Sequence, residues 1–356
     1  MDKYIKNRVK GLSPYVVLDS NCDIKLDANE NSENIFKGCF NNFVKKVSEA
    51  SINRYPDPSS TILRNKIAKY VGEGVNKDNI ICGNGSDELI SCIISTFMEE
   101  KDIIITHSPT FSMYKISNQI LGGEFVEVPS NENFEVNIND IIKISNERNA
   151  KIIMLCNPNN PTGTIIKRCD IEKVIKSTSG IVVVDEAYYE FLGESVCDIA
   201  YQNKRVIVLR TLSKAFALAG ARCGYLVAST ETVNAILKVK PPYNLNSLTQ
   251  YAGETILDAT DKVNASIKRI KAQRENLIND LMKIKGLSVY KTGANFVLIK
   301  TPKSSQIIEM LNKDRIIVRG FSGNQLENCI RITVGFENEN QKVVKIIQEV
   351  LGNEEI

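Results

Sequence analysis

Four stretches carry residues that could do chemistry, and each stands at the end of an apolar run. Ile181-Val182-Val183-Val184 closes in Asp185-Glu186, two acids at the end of a candidate buried strand. Ligands in open α/β sheets sit at the carboxyl ends of strands, so these acids either end a strand in solvent or mark a site. Thr211-Leu212-Ser213-Lys214 places a lysine after another such run, with two hydroxyls before it; taken alone it reads as a solvated surface lysine. A lysine amine becomes a nucleophile when burial or nearby cations take its proton. Asn157-Pro158-Asn159-Asn160-Pro161-Thr162-Gly163 is rich in turn signals and carries three side-chain amides. Gly83-Asn84-Gly85-Ser86-Asp87-Glu88 opens a helix, where free backbone N–H groups attract phosphate. The same residues suit ordinary capping, and both uses are compatible. Asp87 and Glu88 repel an anion unless they point away, so backbone and hydroxyl groups must do the binding.

One other chemistry is disfavoured and another is excluded. An apolar strand ending in acids also suits a nucleotide hydrolase, but that needs G-x-x-x-x-G-K-[ST], which is absent. The chain has a single histidine, His107, so mechanisms needing two histidines are out.

The elements that must position these residues are legible as alternation. Apolar runs at 79–82, 102–106, 124–128, 151–155, 181–184, 205–209 and 223–227 read as strands, several of them buried on both faces. Between them, Leu89, Ile90, Ile93, Ile94 and Phe97 form a stripe on one helix face. Strands alternating with helices predict an α/β domain with a mainly parallel central sheet. The tail differs: a long helix at 262–285, strands at 287–290, 295–300, 316–319 and 329–334, then a final amphipathic helix, which together predict a smaller α+β domain. The first 40 or so residues lack periodicity and are expected to pack on one of the two bodies.

Taken in order, the motifs resemble the fold-type I aminotransferases that use pyridoxal 5′-phosphate (PLP). Ser213-Lys214-Ala215-Phe216-Ala217-Leu218-Ala219-Gly220-Ala221-Arg222 and Lys240-Pro241-Pro242-Tyr243-Asn244-Leu245-Asn246 are the most specific parts. Within that superfamily the likeness is to the histidinol-phosphate branch. It runs from Pro14-Tyr15 and Leu26-Asp27-Ala28-Asn29-Glu30-Asn31, through Asn53-Arg54-Tyr55-Pro56-Asp57, to Arg331-Ile332-Thr333-Val334-Gly335. The resemblance implies the PLP-dependent transferase fold, with residues 1–45 packing on the small domain, 46–250 forming the cofactor-binding domain and 251–356 the small one.

It also implies roles. Lys214 forms the internal Schiff base and shuttles a proton at substrate Cα. Asp185 pairs with the pyridine nitrogen, whose positive charge makes the cofactor an electron sink. Tyr188 and Asn160 contact the phenolic oxygen. The phosphate rests on Gly85, Ser86 and Asp87 main chain, with Thr211 and Ser213 beside it and the Arg222 fork on it. Tyr55 reaches the phosphate from the other subunit of a homodimer. Phe111 stacks on the ring, in a position where the family often has tyrosine. Arg331 clamps the donor carboxylate and the phosphate of a phosphorylated substrate, and Arg319 adds a second cation. The strand pattern agrees for Arg331, which shares a face with Thr333 opposite Ile330, Ile332 and Val334. Tyr15 and Asn29 line the substrate pocket. Ser32 stands where the family usually has proline, which loosens that loop. His107 reads as structural.

The implied reaction is ping-pong transfer of an amine from glutamate to imidazole-acetol phosphate. An aromatic amino-acid aminotransferase, a threonine-phosphate decarboxylase and a non-catalytic PLP-fold sensor stay open as alternatives. Composition fits an ordinary soluble globular protein, and the cysteines make a cytoplasmic location the simplest expectation. Apolar residues make up 43% and charged residues 24%, and the net charge is only +3. No basic block invites nucleic acid, and no apolar run approaches the roughly 20 residues of a membrane span. The N-terminus has no signal-like apolar stretch. Nine cysteines with no C-x-x-C pair predict neither zinc nor a disulfide framework, but a reducing compartment.

Overall fold

A computed structural model describes residues 1–12, 22–72 and 74–352. The first strand, β1 (Ile24–Leu26), finds its pairing partner only in the tail of the chain. Seven strands then build the large sheet: β2 (Ile80–Asn84), β3 (Ile103–Ser108), β4 (Glu124–Pro129), β5 (Ile152–Cys156), β6 (Ile181–Asp185), β7 (Val206–Thr211) and β8 (Cys223–Val227). Their order is β2-β8-β7-β6-β5-β3-β4. Pairs β3/β4, β3/β5, β5/β6 and β6/β7 are parallel, whereas β8 runs antiparallel to both β2 and β7.

Every residue of β5, β7 and β8 is buried, because helices cover both faces. One face packs Ile81, Met154, Val183, Ile207 and Leu226 against Leu89, Ile90, Ile93 and Ile94 of the helix Ser86–Phe97. That stripe is the one its spacing predicts, while Phe97 is only partly buried. The opposite face packs Ile153, Val182, Val208 and Tyr225 against Leu63, Ile67 and Ile256.

The tail begins with the long helix Thr260–Met282 and forms β9 (Ser288–Val289), β10 (Phe296–Lys300), β11 (Ile316–Gly320) and β12 (Cys329–Thr333), followed by the helix Glu337–Leu351. The second sheet has the order β1-β11-β12-β10-β9, so β1 joins it as an edge strand parallel to β11. This pairing carries the segment after Leu26 to the carboxyl ends of the large sheet. Among the described residues, no helix is long and apolar enough to cross a membrane.

Candidate active site

Strands β3, β5, β6 and β7 point the same way, so Ser108, Cys156, Asp185 and Thr211 end at one edge of the sheet. A cleft of about 280 Å³ opens there, and the small sheet closes its far wall with Arg319 and Arg331.

Lys214 enters the cleft just after β7. Its Nζ donates to the Ala28 carbonyl oxygen at 2.7 Å. Burial pushes its amine down to about 8, and the neighbouring Arg331 and Arg222 guanidiniums act in the same direction. The amine is therefore neutral in an appreciable fraction near neutral pH, as a nucleophile requires.

Asp185 is 4% exposed at the end of β6. Its Oδ2 accepts from the Tyr114 hydroxyl at 2.6 Å and its Oδ1 from the Ala187 N–H at 3.1 Å. Burial nevertheless pushes its carboxyl up to about 6, with the Asp87 and Glu186 charges adding to the rise. Cleft acid and cleft amine are thus both drawn toward their neutral forms, a pattern common where titratable groups do work.

Tyr188 and Asn160 lie in the same wall. The Asn29 side-chain amide donates to the Tyr188 hydroxyl oxygen at 2.8 Å, which leaves the phenol proton for another acceptor. Asn29 sits at φ 54, a left-handed conformation that asparagine tolerates, and its own N–H is tied to Thr333 Oγ1 at 3.0 Å. Asn160 Oδ1 accepts from the Arg331 guanidinium at 2.5 Å, so its NH₂ is the end left to donate. Phe111 meets Tyr114 edge to face, with ring centroids 5.6 Å apart.

At the opposite end the start of a helix faces the cleft, where its free N–H groups could hold an anion. No side chain caps the helix Ser86–Phe97, and Gly85 ahead of it holds φ +81. A Cβ on Gly224 would come within 2.5 Å of the Ser86 nitrogen, so β8 can approach this turn only with glycine there. Glu88 turns away, its carboxylate accepting from the Asn84 N–H and the Asn244 amide, both at 2.7 Å. Asp87 stays in the cleft, 3.5 Å from Arg222. Ser213 and Thr211 face the same space, their hydroxyls 2.9 Å apart.

Arg319 and Arg331 are direct register partners across β11 and β12. Arg331 is 8% exposed, donates to the Asp27 carbonyl oxygen at 2.5 Å and lies over the Phe296 and Phe321 rings.

Of the expected site residues, the structure gathers all but three in the cleft lining. Gly85 lies just behind it, shaping the turn. Tyr55 is 79% exposed outside it, stacked on Tyr243 at 4.4 Å. Tyr15 lies outside the described residues. Glu186 does not end in solvent, the bland option for an acid at a strand end. It is buried and ion-paired with Arg210 at 2.9 Å. Arg210 also donates to Ser195 Oγ at 2.6 Å and lies 3.6 Å from the Tyr189 ring centroid, clamping the segment that carries Asp185 and Tyr188. His107 is fully buried, its Nε2 accepts from the Cys156 N–H at 3.3 Å, and burial pushes it down to about 4. Neither Tyr114 nor Arg210 stands out in the sequence: Tyr114 follows the Phe111 motif without a signal of its own, and Arg210 lies just past the apolar run 205–209.

Comparison with known proteins follows the same geometry. Residues 22–347 match the family described as aminotransferase class I and II. A histidinol-phosphate aminotransferase of Clostridium novyi is 40% identical over 348 residues, covering 98% of this chain and 97% of that one. A crystal structure of histidinol-phosphate aminotransferase from Sinorhizobium meliloti, in complex with pyridoxal-5′-phosphate, superposes with a TM-score of 0.88 at 22% identity, covering 98% of each chain. The enzyme of that name from Clostridium acetobutylicum superposes at 0.83 with 27% identity, over 93% of this chain and all of that one.

Proposed function

Because the chain belongs to the class I and II aminotransferases, we propose that it moves an amino group from glutamate to imidazole-acetol phosphate, giving histidinol phosphate, with PLP held on Lys214. The family, and a structural neighbour solved with PLP, make PLP the cofactor.

The residues fit that group. The uncapped helix end, Ser213 and Arg222 suit its phosphate; Asp185 suits its ring nitrogen; Phe111 offers a face to the ring. When bound, PLP supplies an electron sink for the charge left at substrate Cα. The chain does the rest. Asp185 keeps a proton on the ring nitrogen. Tyr188, its oxygen satisfied by Asn29, directs its proton to the phenolic oxygen. Lys214, once displaced, takes a proton from Cα and delivers it to the cofactor carbon; such general acid–base work contributes about 10²–10⁴-fold.

The observation that carries the substrate is the Arg319–Arg331 pair. Like charges directly opposite in adjacent strands are unfavourable, and an anion bound between or beside them offsets that. A donor carboxylate in one half-reaction and a phosphorylated acceptor in the other meet this need in turn.

The reading extends to assembly. Ile52, Tyr55 and Ile62 are large, exposed and close in sequence, as suits a face covered by a second copy. Tyr55 of the partner subunit then completes the phosphate site. A reducing cytoplasm suits the nine thiols.

The deciding assay follows amine transfer from glutamate to imidazole-acetol phosphate, beside aromatic keto acids without phosphate. A marked preference for the phosphorylated acceptor is expected. Lys214→Ala should lose at least about 100-fold in turnover. Equal use of the phosphate-free acceptors would move the reading to an aromatic aminotransferase, and CO₂ release from threonine phosphate would move it to a decarboxylase.

A further inference from the structure

We propose that Tyr114 is a positioning residue that fixes the Asp185 carboxylate and the Phe111 ring together, and so sets how firmly the ring nitrogen of the cofactor keeps its proton. The inference rests on the PLP reading of the cleft.

Tyr114 is fully buried near the start of the helix Met113–Leu121. Its hydroxyl ends 2.6 Å from Asp185 Oδ2, and its ring meets the Phe111 ring edge-on, 83° from parallel. Phe111 is placed to cover the cofactor ring, and Asp185 to meet its nitrogen. One side chain therefore touches both groups that define where the ring must lie.

The hydrogen bond has a direction. The phenol is held protonated by burial and by the Asp185 charge, so it serves as a donor throughout the working range of pH. Tyr114 and the Ala187 N–H are the two donors that favour the ionised carboxylate; Asp87 and Glu186 oppose them, and Cys156 packs beside the pair. A hydrogen bond to a buried charged acceptor is among the stronger ones. Removing this hydroxyl leaves a buried carboxylate with one donor fewer. Such a carboxylate takes up a proton more readily and no longer holds one on the ring nitrogen.

The test uses Tyr114→Phe, which keeps the ring and its contact with Phe111. Wild-type and variant proteins are stripped of cofactor; one portion of each is melted, and another is recharged with PLP. The visible band of the bound cofactor is then followed against pH. A ring nitrogen without its proton withdraws less charge from the Lys214 nitrogen, which then keeps its own proton to higher pH. The midpoint should move up by about one pH unit, a tenfold change in proton affinity. The kcat should fall roughly ten-fold or more, with little change in KM. In an Asp185→Asn background the same substitution should move the midpoint no further. A hydroxyl that only satisfied the core would lower the melting temperature and leave the midpoint where it was.

Should Tyr114→Phe fail to fold, 3-fluorotyrosine at position 114 keeps the hydroxyl, makes it a stronger donor and should move the midpoint down. Wild-type protein that never takes up PLP overturns the reading of the cleft and this inference with it. Wild-type uptake with an unmoved midpoint in the altered protein overturns this inference alone.

Discussion

Asp185 sits in surroundings that oppose its charge. Burial outweighs two donors and lifts its carboxyl from an ordinary 3.8 to about 6. A raised acid stabilises the fold below its unfolded pKa, and that contribution is lost as pH rises through the folded value. Without cofactor, Asp185→Asn should therefore be more stable than wild type at pH 7, by on the order of 2–3 kcal/mol. The difference should shrink between pH 6 and 4 and be gone below about 4. Thermal melts of the cofactor-free proteins across that range check it, and a constant difference would show that Asp185 does not titrate there. Asp185 was legible because strand ends in a parallel sheet face one cleft, whereas Lys214, which alone reads equally as a solvated lysine, was legible through the motif around it. Tyr114 was not, because a tyrosine three residues past the stacking phenylalanine reads equally as core. Asn29 was placed at the pocket, but its grip on the Tyr188 hydroxyl depends on a left-handed backbone that no pattern encodes.

At the scale of elements, the turn between β2 and its helix is held against β8 by two glycines. Gly224→Ala places a methyl 2.5 Å from the Gly85 carbonyl carbon and the Ser86 nitrogen, both backbone atoms that cannot swing aside. Overpacking of this kind costs about 1–3 kcal/mol, and here the strain falls on the start of the helix itself. The variant should lose stability of that size and bind PLP more weakly, by cofactor titration. Unchanged binding would mean that the phosphate rests elsewhere. Seven strands of the large sheet are readable from apolar runs, yet the direction of β8 is not. A strand buried on both faces looks the same run either way, so a mainly parallel sheet hides its one antiparallel member. The pairing of β1 with β11 is equally silent, since its partners lie 292 residues apart in the chain, Ile24 against Ile316.

The whole molecule raises the question of what one chain lacks. Every expected site residue among those described reaches or borders the cleft except Tyr55, which stands exposed and stacked on Tyr243. A large aromatic ring gains little in water, whereas at the centre of an interface it buries apolar area and still offers a hydroxyl. If two copies pair as a closed symmetric dimer, each site takes its lysine from one chain and its Tyr55 from the other. Two defective proteins then test the arrangement. Lys214→Ala destroys the site of its own chain, and Tyr55→Ala weakens the site of its partner. In a hybrid dimer one site combines an intact Lys214 with an intact Tyr55, and the other has neither. Mixing and reassembling equal amounts should restore about a quarter of wild-type activity, because half the dimers are hybrid and each has one sound site. A Tyr55→Ala protein of undiminished activity, or a mixture no better than its parts, would confine the site to a single chain.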